Sequence, residues 1–141
     1  MTDTVLLAEL ERDEGIRLKP YTDSTGHLTL GVGRNLTDVG IFPDEARYML
    51  LNDVLRARDD LDAAIPWWRT LSPVRQRVMI NMTFNLGMPT LLTFHDTLHA
   101  IEVGNYVGAA NGMMNSKWAT QVGPRASRLA RMMVRGEDFT S

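Results

Sequence analysis

Glu14 is followed nine residues later by Asp23, and six after that by Thr29. Two carboxyl groups on separate short elements are the minimal equipment for cutting a glycosidic bond. One protonates the leaving oxygen, and the other activates water or steadies positive charge on the sugar. Each residue also has a plainer reading. Glu14 could be one more solvated acid beside Glu9, Glu11 and Asp13. Asp23 could be a turn former that bonds its own backbone. Thr29 could be chosen for β-propensity.

The elements that must carry them follow from local patterns. Asp3 to Asp13 reads as a helix, with Leu6, Leu7 and Leu10 on one face and Gly15 as its stop. Glu14 then stands at a helix C-terminus, whose partial negative charge disfavours an ionised carboxylate and suits a general acid. From Gly15 to Gly40 glycine, threonine and asparagine crowd in, and Asp23-Ser24-Thr25-Gly26 reads as a hairpin turn. Leu28, Leu30 and Val32 are expected on one strand face, with Thr29, Gly31 and Gly33 on the other. That second face would be stripped of bulk, as at a close approach by ligand or backbone, leaving the Thr29 hydroxyl free to hold a water.

Pro43 should open a long helix, with Asp44 and Glu45 favouring its N-terminal dipole. Ala46, Leu50, Val54, Ala57, Leu61 and Ile65 recur at steps of three and four up to Pro66, giving one apolar face. Everything after Pro66 reads as helical. Ser72-Pro73 caps a helix whose run Val78–Leu86 is apolar nearly all round, so it is expected to be buried, with Gly87 closing it. Shorter helices are expected over Thr93–Glu102 and Tyr106–Asn115. A last helix should run from Gly123-Pro124 to about Gly136, with Ala126, Leu129 and Met133 inward. Met79, Met82, Met113, Met114, Met132 and Met133 read as core filling.

The 141 residues suit one domain, and 44% hydrophobic with 23% charged residues is an ordinary globular composition. A net charge of −2 argues against a binder of nucleic-acid phosphates. The absence of cysteine excludes disulfides, a Cys nucleophile and a Cys-based metal site. His95 and His99 could share a helix face, but without further ligands they read as ordinary histidines, and no metal or other cofactor is expected. No segment is apolar for long enough to span a bilayer. The start, Met1-Thr2-Asp3-Thr4, carries an acid where a signal peptide has cations, which leads to an expectation of cytoplasmic synthesis without an export signal. Arg125, Arg128, Arg131 and Arg135 recur along the last helix, either as a solvated basic face or as a surface for an anionic polymer. Arg125 lies in the first turn, where the dipole does not favour a cation, so an acidic partner such as Glu14 would account for it.

Taken together, Glu14 through Gly33 (Glu-Gly-x-Arg-Leu-x-x-Tyr-x-Asp-x-x-Gly-x-x-Thr-x-Gly-x-Gly) resembles the phage-type, T4-like lysozymes. Two further blocks, Ile80–Gly87 and Ser116–Gln121 running on to Pro124–Arg128, match the same family in the same order. The resemblance implies an α+β, mostly α, lysozyme-like two-lobed fold. A β lobe at about 15–42 would be joined by a helix at 43–65 to a helical lobe at 66–141 plus the N-terminal helix, all in one catalytic domain, 1–141. It implies Glu14 as general acid, Asp23 as second carboxylate and Thr29 positioning water. Hydrolysis would be inverting, with the carboxyls roughly 6.5–9.5 Å apart. Arg125, Gln121 and Asn85 match supporting or cleft positions. Arg34 stands where the family's best-known member has a histidine.

The implied substrate is the glycan strand of bacterial peptidoglycan, cut between N-acetylmuramic acid and N-acetylglucosamine by a monomeric endolysin. The enzyme would reach the periplasm through a holin-type pore, without stable membrane insertion of its own. A lytic transglycosylase and a non-catalytic peptidoglycan-binding module are the alternatives, and the basic last helix could add antibacterial action of its own.

Overall fold

Asp3 opens the first helix, α1 (Thr4–Glu14), its carboxylate accepting from the Leu6 N–H at 2.9 Å. Gly15 closes it at φ +75°, donating to the Glu11 carbonyl at 2.8 Å, so Glu14 is the last helical residue. The computed structural model describes residues 3–139, and Met1 and Thr2 of the acidic start, like the two ends of the expected 1–141 domain, lie outside them. The leucine face of α1 is not buried: Leu6, Leu7 and Leu10 remain 43–53% exposed. The periodicity marks an amphipathic helix correctly.

By internal contacts the chain divides into two units, Met1–Met49 and Leu50–Ser141. The first holds α1 and a three-stranded antiparallel sheet in the order β1 (Arg17–Thr22), β2 (Leu28–Gly31), β3 (Arg34–Asn35). Tyr21 pairs with Thr29 and Thr22 with Leu28, but the register shifts between Arg17 and Tyr21. Pro20 falls in that interval and has no N–H to give the ladder, which is where a bulge is tolerated. Thr29 pairs across to Asn35 on the other side, so it sits on the central strand.

The expected alternation through Val32 breaks earlier. β2 ends at Gly31, and the chain reverses through Gly31–Gly33, both glycines holding positive φ (+71° and +69°). These glycines serve the reversal, not a cleared strand face. The faces are also exchanged: Thr29 is buried at 4% exposure, while Leu28 and Val32 are 44% and 43% exposed.

Pro43 starts α2 (Pro43–Ala64), as its N1 preference requires, and the helix continues into the second unit. Its expected apolar face is realised only at the C-terminal end. Ala57 and Leu61, with Ile65 beyond, are buried, whereas Ala46 and Leu50 are exposed. A 3₁₀ turn (Pro66–Thr70) delivers Trp68 into the core. Ser72 caps α3 (Pro73–Leu86), and α4 (Met88–Leu91), α5 (His95–Glu102), α6 (Tyr106–Met114), α7 (Lys117–Val122) and α8 (Pro124–Arg135) follow.

Leu61, Trp68, Val78, Met79, Met82, Leu91, Ile101, Met113 and Met133 are completely enclosed and form one core. Two expectations need correcting here. α3 is not apolar-packed all round, because Asn81 is partly open and Phe84 and Asn85 are exposed. Met114 also faces out, one residue past the buried Met113, as the helical period dictates. α8 buries Ala126, Leu129, Ala130 and Met133. Its apolar face is therefore core, while Arg128, Arg131 and Arg135 are exposed beside Ser127 and Val134.

Candidate functional site

Glu14 is brought to the sheet by the reversal after β2. A Cβ placed on Gly33 would stand 3.1 Å from Glu14 Oε2 and 3.4 Å from its Cδ. The carboxyl therefore lies directly over the bare backbone of Gly33. Sequence spacing suggests that a glycine here marks a close approach. The approaching group is this chain's own acid.

Asp23 occupies the β1–β2 turn as an Asx turn. Its Oδ1 accepts from the Thr25 N–H (2.9 Å), the Thr25 hydroxyl (2.8 Å) and the His27 N–H (2.8 Å). These donors, chiefly the His27 N–H and then the Thr25 hydroxyl, hold the carboxyl below the usual aspartate range. Among the described residues every bond falls on Oδ1, so Oδ2 is left for another partner. Asp23 is thus suited to work ionised.

Thr29 donates its hydroxyl hydrogen to the His27 carbonyl at 3.0 Å, which leaves it the role of acceptor. The expected open hydroxyl on a stripped face is replaced by an enclosed one at the centre of the sheet. Glu14, Asp23 and Thr29 all lie in the first unit.

Arg34 is committed within that same unit. Its guanidinium forms a bidentate pair with Glu45 (2.8 and 2.9 Å), donates to the Gly40 carbonyl and lies over the Phe42 ring. The pair raises the Arg34 pKa and lowers that of Glu45, which also accepts from the Phe42 N–H. Arg34 fastens β3 to the first turn of α2, so its guanidinium is already engaged by a carboxylate.

The supporting residues from later in the chain divide between two grooves of the helical unit. Asn85 accepts from the Trp118 indole N–H at 2.7 Å. Trp118 and Gln121 line an open cleft of about 680 Å³ with Phe94, Asp96 and Lys117. Arg125 instead donates twice to Asn81 Oδ1, at 3.0 and 2.7 Å, beside a separate groove of about 430 Å³ that Arg58, Arg77 and Phe84 also line.

Asn81 and Trp118, which the sequence reading does not single out, hold Arg125 and Asn85 in place. The signal that could have found Asn81 is its i,i+4 spacing to Asn85. Two amides on one side of an otherwise apolar helix need polar partners.

Comparison with known proteins places the chain by family. The phage lysozyme family profile matches residues 11–135. The chain is 25% identical to a probable T4-type lysozyme 1 of Dictyostelium discoideum, over 90% of this chain and 92% of that one. It is 32% identical to an endolysin of Acyrthosiphon pisum secondary endosymbiont phage 1, over 80% of this chain and 76% of that one. It is 26% identical to the pre-baseplate central spike protein Gp5 of Enterobacteria phage T4, where 90% of this chain matches and spans only 27% of that longer protein.

Proposed function

This chain belongs to the phage lysozyme family, and we propose that it is an endolysin-type muramidase. It hydrolyses the β-1,4 bond between N-acetylmuramic acid and N-acetylglucosamine in peptidoglycan. Glu14 protonates the leaving glycosidic oxygen. Asp23, ionised and anchored through one oxygen, uses Oδ2 to activate water or to face the developing positive charge. Thr29 accepts a hydrogen bond from that water. Direct attack by that water on the face opposite the leaving oxygen makes the reaction inverting. The observation that carries this reading is the Glu14 carboxyl resting against Gly33, in the unit whose turn holds an ionised Asp23.

Gln121, Asn85 and Arg125 are assigned to substrate support. Arg34 acts indirectly, by holding the strand that follows Gly33. The whole of 1–141 works as one catalytic domain, with 15–42 as the β lobe and 43–65 as its connection to the helices. It acts as a monomer on the wall after a holin-type lesion gives access.

The test is turbidity clearing of outer-membrane-stripped cells. Wild type should clear them and Glu14→Gln should not, with unchanged far-UV circular dichroism. General acid catalysis contributes about 10²–10⁴-fold, which sets the size of the expected loss. Near-normal clearing by Glu14→Gln would overturn the acid assignment. Mass spectrometry of the digest separates hydrolysis from transglycosylation, since 1,6-anhydromuramic ends would exclude the hydrolase reading.

A further inference from the structure

Three donors converge on Asp23 Oδ1, and one of them is a side chain. The Thr25 and His27 N–H groups, at 2.9 and 2.8 Å, belong to the turn. The third donor is the Thr25 hydroxyl, also at 2.8 Å. An Asx turn needs only backbone donors. The hydroxyl is therefore surplus to the fold of the hairpin, and it acts on a carboxyl that the proposed reaction uses. Among the described residues the His27 ring, with Nδ1 3.7 Å from Oδ1, is the only basic group within 4.0 Å of that carboxylate.

The hydroxyl is fixed in direction. Its oxygen has two polar neighbours, Asp23 Oδ1 at 2.8 Å and His27 Nδ1 at 2.6 Å, but it has a single hydrogen to give. An ionised carboxylate is the stronger acceptor, so that hydrogen goes to Asp23. Thr25 then accepts from Nδ1, and a neutral ring protonated on Nδ1 meets the requirement. Ring, hydroxyl and carboxylate are joined in series, in a direction set without any charge on the ring. The His27 carbonyl in turn accepts from the Thr29 hydroxyl at 3.0 Å and from the Asp23 N–H at 2.9 Å. His27 thus holds Asp23 and Thr29 through backbone groups that a side-chain substitution leaves in place.

We propose that Thr25 is a positioning residue for Asp23, its hydroxyl holding Oδ1 in the turn so that Oδ2 is the oxygen presented to the reaction. With the hydroxyl in place, exchanging the two oxygens by rotation about Cβ–Cγ breaks three hydrogen bonds, and without it two. The hydroxyl also favours the ionised form. After the His27 N–H, it is the next cause that holds the Asp23 carboxyl below the usual aspartate range.

This role rests on the assignment of Asp23 to the reaction, so the experiment includes Asp23→Asn. Steady-state cleavage of solubilised peptidoglycan strands is measured for full-length wild type, Thr25→Val, Thr25→Ser and Asp23→Asn. The Asp23 carboxyl is titrated separately by ¹³C NMR in wild type and both Thr25 variants. Thr25→Val keeps the backbone donors of the turn and removes the hydroxyl alone. It should lower kcat several-fold with little change in KM, and it should move the Asp23 midpoint to higher pH. Thr25→Ser should restore both. Adding His27→Phe to Thr25→Val should cost nothing further, because the ring acts through the hydroxyl.

A wild-type kcat in Thr25→Val, when Asp23→Asn is inactive, overturns the positioning role. So does a loss that Thr25→Ser fails to restore, which would mark Thr25 as structural only. A further loss on adding His27→Phe overturns the link through the ring. If Asp23→Asn cleaves normally, the Asp23 assignment fails instead. The titration still decides whether the hydroxyl holds the carboxyl, since an unmoved midpoint in Thr25→Val would show that it does not.

Discussion

Every buried apolar side chain of the chain's described residues lies in Leu50–Ser141, whereas in Met1–Met49 the one buried residue is a threonine, Thr29. The helical unit excludes water from methionine, leucine and tryptophan side chains, an effect roughly proportional to the area covered and indifferent to pH. The first unit is tied by directed polar contacts: the Asp23 turn, the Asn35–Asp38 pair and the Arg34–Glu45 fork. Those contacts respond to protonation and to salt. Both proposed catalytic carboxyls therefore sit in the unit whose geometry depends most on charge. The unit with the apolar core holds the grooves beside Trp118 and Arg125.

Exchanging the two kinds of disruption would sharpen this contrast. The largest effect should come from Gly33→Ala. Its φ of +69° strains any side chain, and its new Cβ would press on Glu14 Oε2. Clearing of stripped cells should fall several-fold, because the strained reversal and the displaced carboxyl both move the acid, while near-UV circular dichroism of the tryptophans stays as in wild type. Retained clearing would show that contact with Gly33 does not set the acid's position.

Trp68→Ala should reverse the pattern. Trp68 is 1% exposed, and truncating a buried tryptophan costs about 3–5 kcal/mol. Urea unfolding followed by circular dichroism should show a lower midpoint, and the initial clearing rate of the still-folded protein should be nearly unchanged. A wild-type midpoint would mean that the core tolerates the cavity and is less essential than its burial implies.

A smaller and more local effect is expected from Glu45→Gln. Glu45 has its pKa lowered by Arg34, so its stabilisation is present above the ordinary carboxylate range and is lost as pH falls through the lowered value. The variant should speed proteolysis within 15–42 at neutral pH, most clearly at low salt, and should remove the acid sensitivity of that region. Unchanged cleavage would make the fork incidental.

The smallest effect belongs to Asp62, which lies outside the sheet but uses the same physics. Bonds from Arg69 and then from the Trp68 indole pull its pKa down to about 2. Its contribution should be complete above pH 4 and vanish as pH falls toward 2. Thermal melts of Asp62→Asn should lie slightly below wild type at neutral pH and converge with it at the acid end. Parallel curves throughout would break the assignment.

The elements were widely legible from residues. Asp3, Pro43, Ser72-Pro73, Gly87 and Gly136 are local stop and start signals, and the helices begin or end where they stand. The six residues of α7 hold too little periodicity to read as a helix, although Ser116 caps it through the Ala119 N–H. The strand faces are not legible in one dimension, where alternation from Leu28 to Val32 looks continuous. Two glycines at positive φ end it at Gly31. Arg34 was legible as a cation near the site but not as the partner of Glu45, eleven residues away in a different element.

What the sequence by itself determined is the set of chemical groups and the local punctuation. The motif residues Glu14, Asp23 and Thr29, the caps and the core-facing periods are properties of neighbours a few residues apart. What only the tertiary structure decided is which hydrogen-bonding capacity each group has left. Asp23 keeps Oδ2 because Thr25 and His27 use Oδ1, and Arg125 is tied to Asn81 forty-four residues earlier. Hydrogen bonds are short and directional, so their partners are settled by packing within a few ångströms, which spacing along the chain does not encode.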